Sequence, residues 1–185
     1  MTLVIIARME RAVSKLRKEF PNKIISGINT CLKVHNSLSA TILICCAIDL
    51  LSKYYSGETR SSKNKYIDFL SKYFPQYSDH ESFYTFVRCG LIHSYNLDRK
   101  YILIHSDANW AQELHMKLSP KHKMVIINPY MLRKDLLNAL DMLIKDLTDD
   151  KQLRRRFRKI YRKYPLEGQS MKIAKFKYLI ANSSL

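Results

Sequence analysis

The chain has 185 residues, 46% of them hydrophobic, which fits one domain with a modest appendage and excludes wholesale disorder. Four glycines and five prolines disfavour an all-β fold with many tight turns and favour long helices. The formal charge of +16, from 32 Lys and Arg against 16 Asp and Glu, points to a polyanionic partner, either nucleic acid or an acidic membrane face, and says nothing about fold.

Leu3 to about Phe20 is predicted as an amphipathic helix, with Ile6, Met9, Val13, Leu16 and Phe20 recurring at three and four residues, and Pro21-Asn22 as its end. Neither a signal peptide nor a membrane span is expected at Met1–Arg8, which has no basic leader and only a short apolar run. A second helix is expected from about Thr30 to Tyr55, apolar almost all round over Ala40–Leu51, with Gly57 as its stop. That run is too short to cross a bilayer and contains Asp49, so no transmembrane segment is expected and the protein is read as soluble and cytoplasmic. A third helix follows from Lys63 to Tyr73, with Tyr66, Phe69, Leu70 and Tyr73 facing in. Ser78 and Glu81 then form a capping-box pattern ahead of a fourth helix carrying Phe83, Phe86, Val87 and Arg88. Gly90 weakens that helix and permits close backbone approach.

After His93 the period changes. Tyr101–His105 and Lys123–Ile127 read as strands, Leu114–Leu118 as a third, and Asp107–Trp110 as a turn. Asn128-Pro129 caps a helix through Asp146 with a Leu132, Leu136, Leu140, Leu143, Leu147 stripe. Thr148 is the expected cap of a further helix, Asp149 to Tyr164, and Ser170–Ala181 a last short one. Cys31, Cys45, Cys46 and Cys89 have neither disulfide nor zinc spacing and read as reduced, buried small hydrophobes.

The stretch Tyr84-Thr-Phe-Val-Arg88-Cys-Gly-Leu-Ile-His93 carries the candidate chemistry. Arg88 is a permanent cation, and His93 is the side-chain type that exchanges protons near neutral pH. On an ideal α-helix a five-residue step leaves the two side chains ~140° apart. They converge only where the helix ends or tightens, or where a second chain completes the site.

This arrangement resembles the HEPN superfamily, helical bundles with an Arg, four to six residues, then a His near the end of a late core helix. The resemblance covers roughly residues 1–147, so the expected fold is mainly α: a HEPN-like bundle with a small β-strand insertion (about 100–127) and a basic helical C-terminal extension, 148–185. It implies a homodimer with a composite site and metal-independent RNA cleavage by Arg88 and His93, leaving 2′,3′-cyclic phosphate and 5′-hydroxyl ends. It also implies a toxin or phage-defence setting with a cognate antitoxin. No cofactor and no metal are expected. Many active members place Asn, Asp or His directly after the arginine; this chain has Cys89 there.

Supporting residues carry two readings each. Asp49 either pairs with Arg88 or orients His93, or it occupies a polar helix edge. Tyr95 and Asn96 either contact an RNA base or sugar, or form the loop after a helix. His105, His115 and His122 match no compact metal motif, and His35 and His80 carry none. From Lys151 to Lys163 there are eight basic residues and no acidic one: Lys151, Arg154, Arg155, Arg156, Arg158, Lys159, Arg162 and Lys163. With Leu153, Phe157, Ile160 and Tyr164 as a docking stripe, this helix is expected to contact phosphates with little sequence selectivity. Three functions therefore stand: an endoribonuclease, a non-catalytic RNA-binding or regulatory module on the same bundle, and a membrane-surface protein using the basic helix.

Overall fold

The computed structural model describes residues 2–60 and 62–166, with side-chain surroundings from residue 10 onward. The helix expected at Ser170–Ala181 and the stripe positions Ile6 and Met9 lie outside that description. Among the described residues the fold is mainly helical with one small strand pair, as the residue patterns predict.

Helix α1, Thr2–Phe20, buries Leu16 and Phe20. Pro21 does not end it. The chain widens into one π turn, Pro21–Ile25, closed by the Ser26 N–H donating to the Pro21 carbonyl, and continues as α2, Ser26–Lys33. Pro21 lacks the N–H that would donate to the Arg17 carbonyl, so the regular i→i−4 ladder is interrupted there. The single helix expected over Thr30–Tyr55 is in fact two. His35 sits at φ 58, reversing the chain, and Asn36 caps α3, Ser37–Ser56, by accepting from the Ser39 N–H at 3.0 Å. No Gly or Pro marks that break.

Helix α3 is the centre of the bundle. It buries Ala40, Ile44, Cys45, Ala47, Ile48, Leu51 and Tyr54 and is contacted by α2, by α4 (Lys63–Tyr73), α7 (Pro129–Asp149) and α8 (Lys151–Lys163), and by the segment bearing Arg88. Among the described residues it is the one helix long and apolar enough for a membrane span, with mean hydropathy 1.4, and half of that window is buried inside the protein. Gly57 ends it at φ 76, where a Cβ would lie 2.7 Å from the Cβ of Arg156.

Helix α4 spans Lys63–Tyr73 and buries the four residues expected of it. The next helix is capped by Asp79, not Ser78: its carboxylate accepts from the Ser82 N–H at 2.8 Å, while Glu81 pairs with Lys63. After the short α5, His80–Ser82, the chain passes into a π-helical segment, Phe83–Ser94.

Strands β1, Tyr101–Leu103, and β2, Val125–Ile127, pair in parallel with Tyr101 opposite Val125 and Leu103 opposite Ile127. The third strand expected at Leu114–Leu118 reduces to one antiparallel bridge, Leu118 to Val125, and the expected turn at Asp107–Trp110 runs into α6, Asn109–Glu113.

Helix α7, Pro129–Asp149, is capped by Asn128 and buries the whole leucine stripe. Thr148 lies inside it. Asp150 caps α8, Lys151–Lys163, by accepting from the Gln152 and Leu153 N–H groups. Leu153, Phe157 and Ile160 of α8 join the same core as α3, and Tyr161 takes the place expected of Tyr164, which is 41% exposed. All four cysteines are free. Cys45 is buried, and burial pushes its thiol pKa up to about 12; Cys46 is exposed, contrary to expectation, because α3 turns it outward.

Candidate active site

Arg88 and His93 both belong to the π-helical segment Phe83–Ser94. Its i→i+5 register stacks residues five apart, which an α-helix would separate. The helix thus neither ends nor tightens between them; it widens, and a second chain is not needed to bring them together. Arg88 Nη1 lies 3.5 Å from His93 Nε2. His93 is exposed at the end of the segment, while the Arg88 side chain is only 15% exposed.

Asp49 takes the first of its two sequence readings. Arg88 donates to its Oδ2 from both Nη2, at 2.7 Å, and Nε, at 3.0 Å, so the guanidinium is held with Nη1 towards His93. Burial works against the Arg88 charge, but the hydrogen bonds and negative charge of Asp49 outweigh it, and the pKa of Arg88 is raised. Asp49 Oδ1 is buried with no hydrogen-bond partner, and Asp49 makes no hydrogen bond to His93 among the described residues.

Two neighbours complete the surroundings of Arg88, and the sequence reading missed the role of Tyr84. The Tyr84 ring lies under the guanidinium, 5.6 Å from Arg88 Cζ to its centroid, a cation–π geometry. Its position four residues before Arg88 was the available signal. Cys89 Sγ is 3.8 Å from Nη1, occupying the place where a polar residue was expected.

Gly90 has a specific role. A Cβ there would sit 2.4 Å from the Asn96 carbonyl oxygen, so the loop after His93 folds back against a bare glycine backbone. The Asn96 N–H donates to the Gly90 carbonyl at 3.2 Å, and its Oδ1 accepts from the Asp98 N–H. Tyr95, at φ 54, caps the segment and leaves its ring 64% exposed. Both loop residues are exposed, and Asn96 also holds the turn through its backbone and side chain.

The basic helix α8 presents its charges away from the core. Arg155, Arg158, Lys159 and Arg162 line an open groove of about 420 Å³. Their three- and four-residue spacing puts them on one face about 10 Å long. Arg154 instead donates to the Thr148 carbonyl, and Arg156 packs its stem on Gly57. Lys151 and Lys163 are exposed at the two ends.

Of the other histidines, only His35 and His105 meet. His115 is buried with Tyr77 and Asp135, His105 meets His35, His80 caps the Phe74 carbonyl, and His122 is exposed. Among the described residues no three His, Cys, Asp or Glu side chains converge as metal ligands. No family model, curated protein or solved structure matches this chain.

Proposed function

We propose that this protein is an endoribonuclease that needs no metal ion, cutting RNA at Arg88 and His93 to leave 2′,3′-cyclic phosphate and 5′-hydroxyl ends. The observation that carries this reading is the placement of Arg88 by Asp49, with Nη1 3.5 Å from His93 Nε2 at a surface open to solvent. His93 Nε2 takes the proton from the ribose 2′-hydroxyl, the 2′-oxygen attacks phosphorus, the phosphorus–5′-oxygen bond breaks, and the 5′-oxygen takes a proton from water. Arg88 Nη1 donates to the phosphate oxygens, whose charge grows in the transition state. DNA, lacking the 2′-hydroxyl, is spared. The cationic face of α8 adds affinity that does not depend on base sequence. Pairing of two copies at this face, and a toxin or defence role held in check by an antitoxin, complete the proposal.

The alternative is a module that binds RNA without cutting it. One observation favours it: Nε and Nη2 of Arg88 are already committed to Asp49, which leaves mainly Nη1 for a phosphate. Incubation of a mixed RNA with wild type and His93→Ala, with and without EDTA, separates the two. Cleavage with cyclic phosphate ends, lost in the variant and indifferent to EDTA, is the expected result. Binding without cleavage by wild type would leave only the module.

A further inference from the structure

A second cluster of reactive side chains shares no residue with the Arg88–His93 pair. It lies at the carboxyl ends of the parallel strands β1 and β2, where the chain leaves the sheet towards His105 and towards Asn128–Tyr130. Ser37 Oγ is 2.5 Å from His105 Nδ1, and His105 Nε2 is 2.7 Å from His35 Nδ1 and 3.3 Å from the Tyr130 hydroxyl. With Nδ1 accepting from the serine, His105 carries its proton on Nε2 and donates it to His35. A nucleophile, a base and a third group that orients the base thus stand in line.

We infer that Ser37 is an activated nucleophile for acyl transfer, with His105 as its general base, His35 as the residue that positions that base, and small carboxylic esters as the substrate class. Ser37 is not consumed by capping. Asn36 already caps α3 through its side chain to the Ser39 N–H and its carbonyl to the Ala40 N–H. The Ser37 hydroxyl is directed at His105 instead. His35 is held in the left-handed region at φ 58, a conformation that costs a non-glycine residue free energy and here aims its ring at His105. Ser37 and Leu38 open α3, where the first N–H groups of a helix have no intrahelical acceptor. Ser37, His105 and Tyr130 are half-buried and His35 is exposed, so a small acyl group reaches the hydroxyl from solvent.

In the step, the Ser37 hydroxyl proton moves to His105 Nδ1 as Oγ bonds to the ester carbonyl carbon. The carbon–oxygen bond to the leaving alcohol then breaks, and that alcohol takes the proton from Nδ1. Water reverses the sequence: it gives its proton to His105, attacks the acyl carbon, and releases the acid as Ser37 regains its proton.

The test treats the full chain with a fluorophosphonate probe, in which Oγ displaces fluoride from phosphorus, and maps the adduct by peptide mass. One adduct per chain at Ser37 is expected, with p-nitrophenyl acetate competing. His105→Gln should slow labelling about 100-fold, the range of a lost general base. His35→Ala should slow it less, and His35→Asn, which keeps an acceptor and tolerates the left-handed backbone, should restore most of the rate. An adduct at another residue, labelling no faster than in the urea-unfolded chain, or a rate unchanged by His105→Gln would each overturn the assignment, and the wild-type mapping alone decides it if a variant fails to fold.

Discussion

Two networks in this protein are built from the same parts, a carboxylate and an imidazole, and they end in opposite states. At His115 every valence is used. Nδ1 accepts from the Asn128 N–H at 3.1 Å, Nε2 faces Asp135 Oδ2 at 3.1 Å, and the Tyr77 hydroxyl donates to the same carboxylate at 2.8 Å. The His115 and Asp135 side chains are 7% and 12% exposed, and burial, reinforced by Asp135, raises the Tyr77 pKa well above its ordinary value. At His93 the carboxylate reaches only as far as Arg88, one of its oxygens is unpartnered, and the imidazole stands in solvent with a single long contact. A saturated buried network fixes a fold. One with spare donors, a spare lone pair and an open side has capacity left for a substrate.

That contrast is tested most sharply by the same substitution at both sites. His93→Ala should lower RNA cleavage by about 10² to 10⁴-fold, the usual share of a general acid or base. Its unfolding free energy should stay within about 0.5 kcal/mol of wild type, as for an exposed side chain. His115→Ala should do the reverse. It strands the Asn128 backbone N–H and leaves the Asp135 carboxylate with the Tyr77 hydroxyl in place of two partners, costing about 3 kcal/mol, with cleavage per folded molecule unchanged. Urea unfolding and an RNA end-group assay on both variants check this; loss of cleavage without loss of stability in His115→Ala would erase the distinction.

Gly90→Ala attacks the geometry rather than the chemistry. The added methyl would meet the Asn96 carbonyl at 2.4 Å, and both partners are backbone, so the turn carrying Tyr95 must move. A cost of about 2 kcal/mol is expected, with cleavage reduced about tenfold or more because His93 sits two residues before that turn. Near-wild-type activity would mean that the π-helical register does not position the pair.

Gly90 also marks the limit of what the residues disclosed in advance. Local signals were legible: the leucine stripe of α7, the Asn128 cap, Gly57 as a stop, and Gly90 as a point of close approach. Widening of the helix at Phe83–Ser94 was not legible, because π register leaves no periodic signature of its own and an α reading set Arg88 and His93 far apart. The break at Val34–Asn36 was missed because His35, not Gly or Pro, takes the left-handed turn. Cap positions slipped by one or two residues, Ser78 to Asp79 and Thr148 to Asp150, where neighbouring polar residues compete for the same role. The meeting of Ser37 with His105, 68 residues apart, is purely tertiary.

Asp49→Asn sharpens the open half of the comparison by removing charge while keeping shape. The amide oxygen can still accept from Arg88, so the fold should survive, but the guanidinium loses the partner that aims Nη1. Cleavage should fall about tenfold, smaller than the loss at His93 because Asp49 acts only through Arg88. Arg88→Lys keeps the charge and loses the Nε donor, and in a double-mutant cycle the two losses should not add. Additive losses would place Asp49 outside the site.

The smallest expected effect belongs to α8, where no single side chain is indispensable. Arg158 is one of four cations on an outward face, and a single-stranded RNA held there releases about 0.7 counterion per phosphate neutralised. Arg158→Ala should therefore weaken RNA binding by only a few-fold at low salt, and should flatten the slope of log affinity against log salt by about 0.7, with the cleavage rate of bound RNA unaltered. The slope discriminates where affinity does not. An arginine that merely keeps the helix solvated would leave it untouched, whereas one that touches phosphate must change it. Phe157, Leu153 and Ile160 are all buried in the core, so α8 has no large apolar side chain free to enter a bilayer. Vesicles of anionic lipid should accordingly bind the chain through charge alone, and release it at moderate salt.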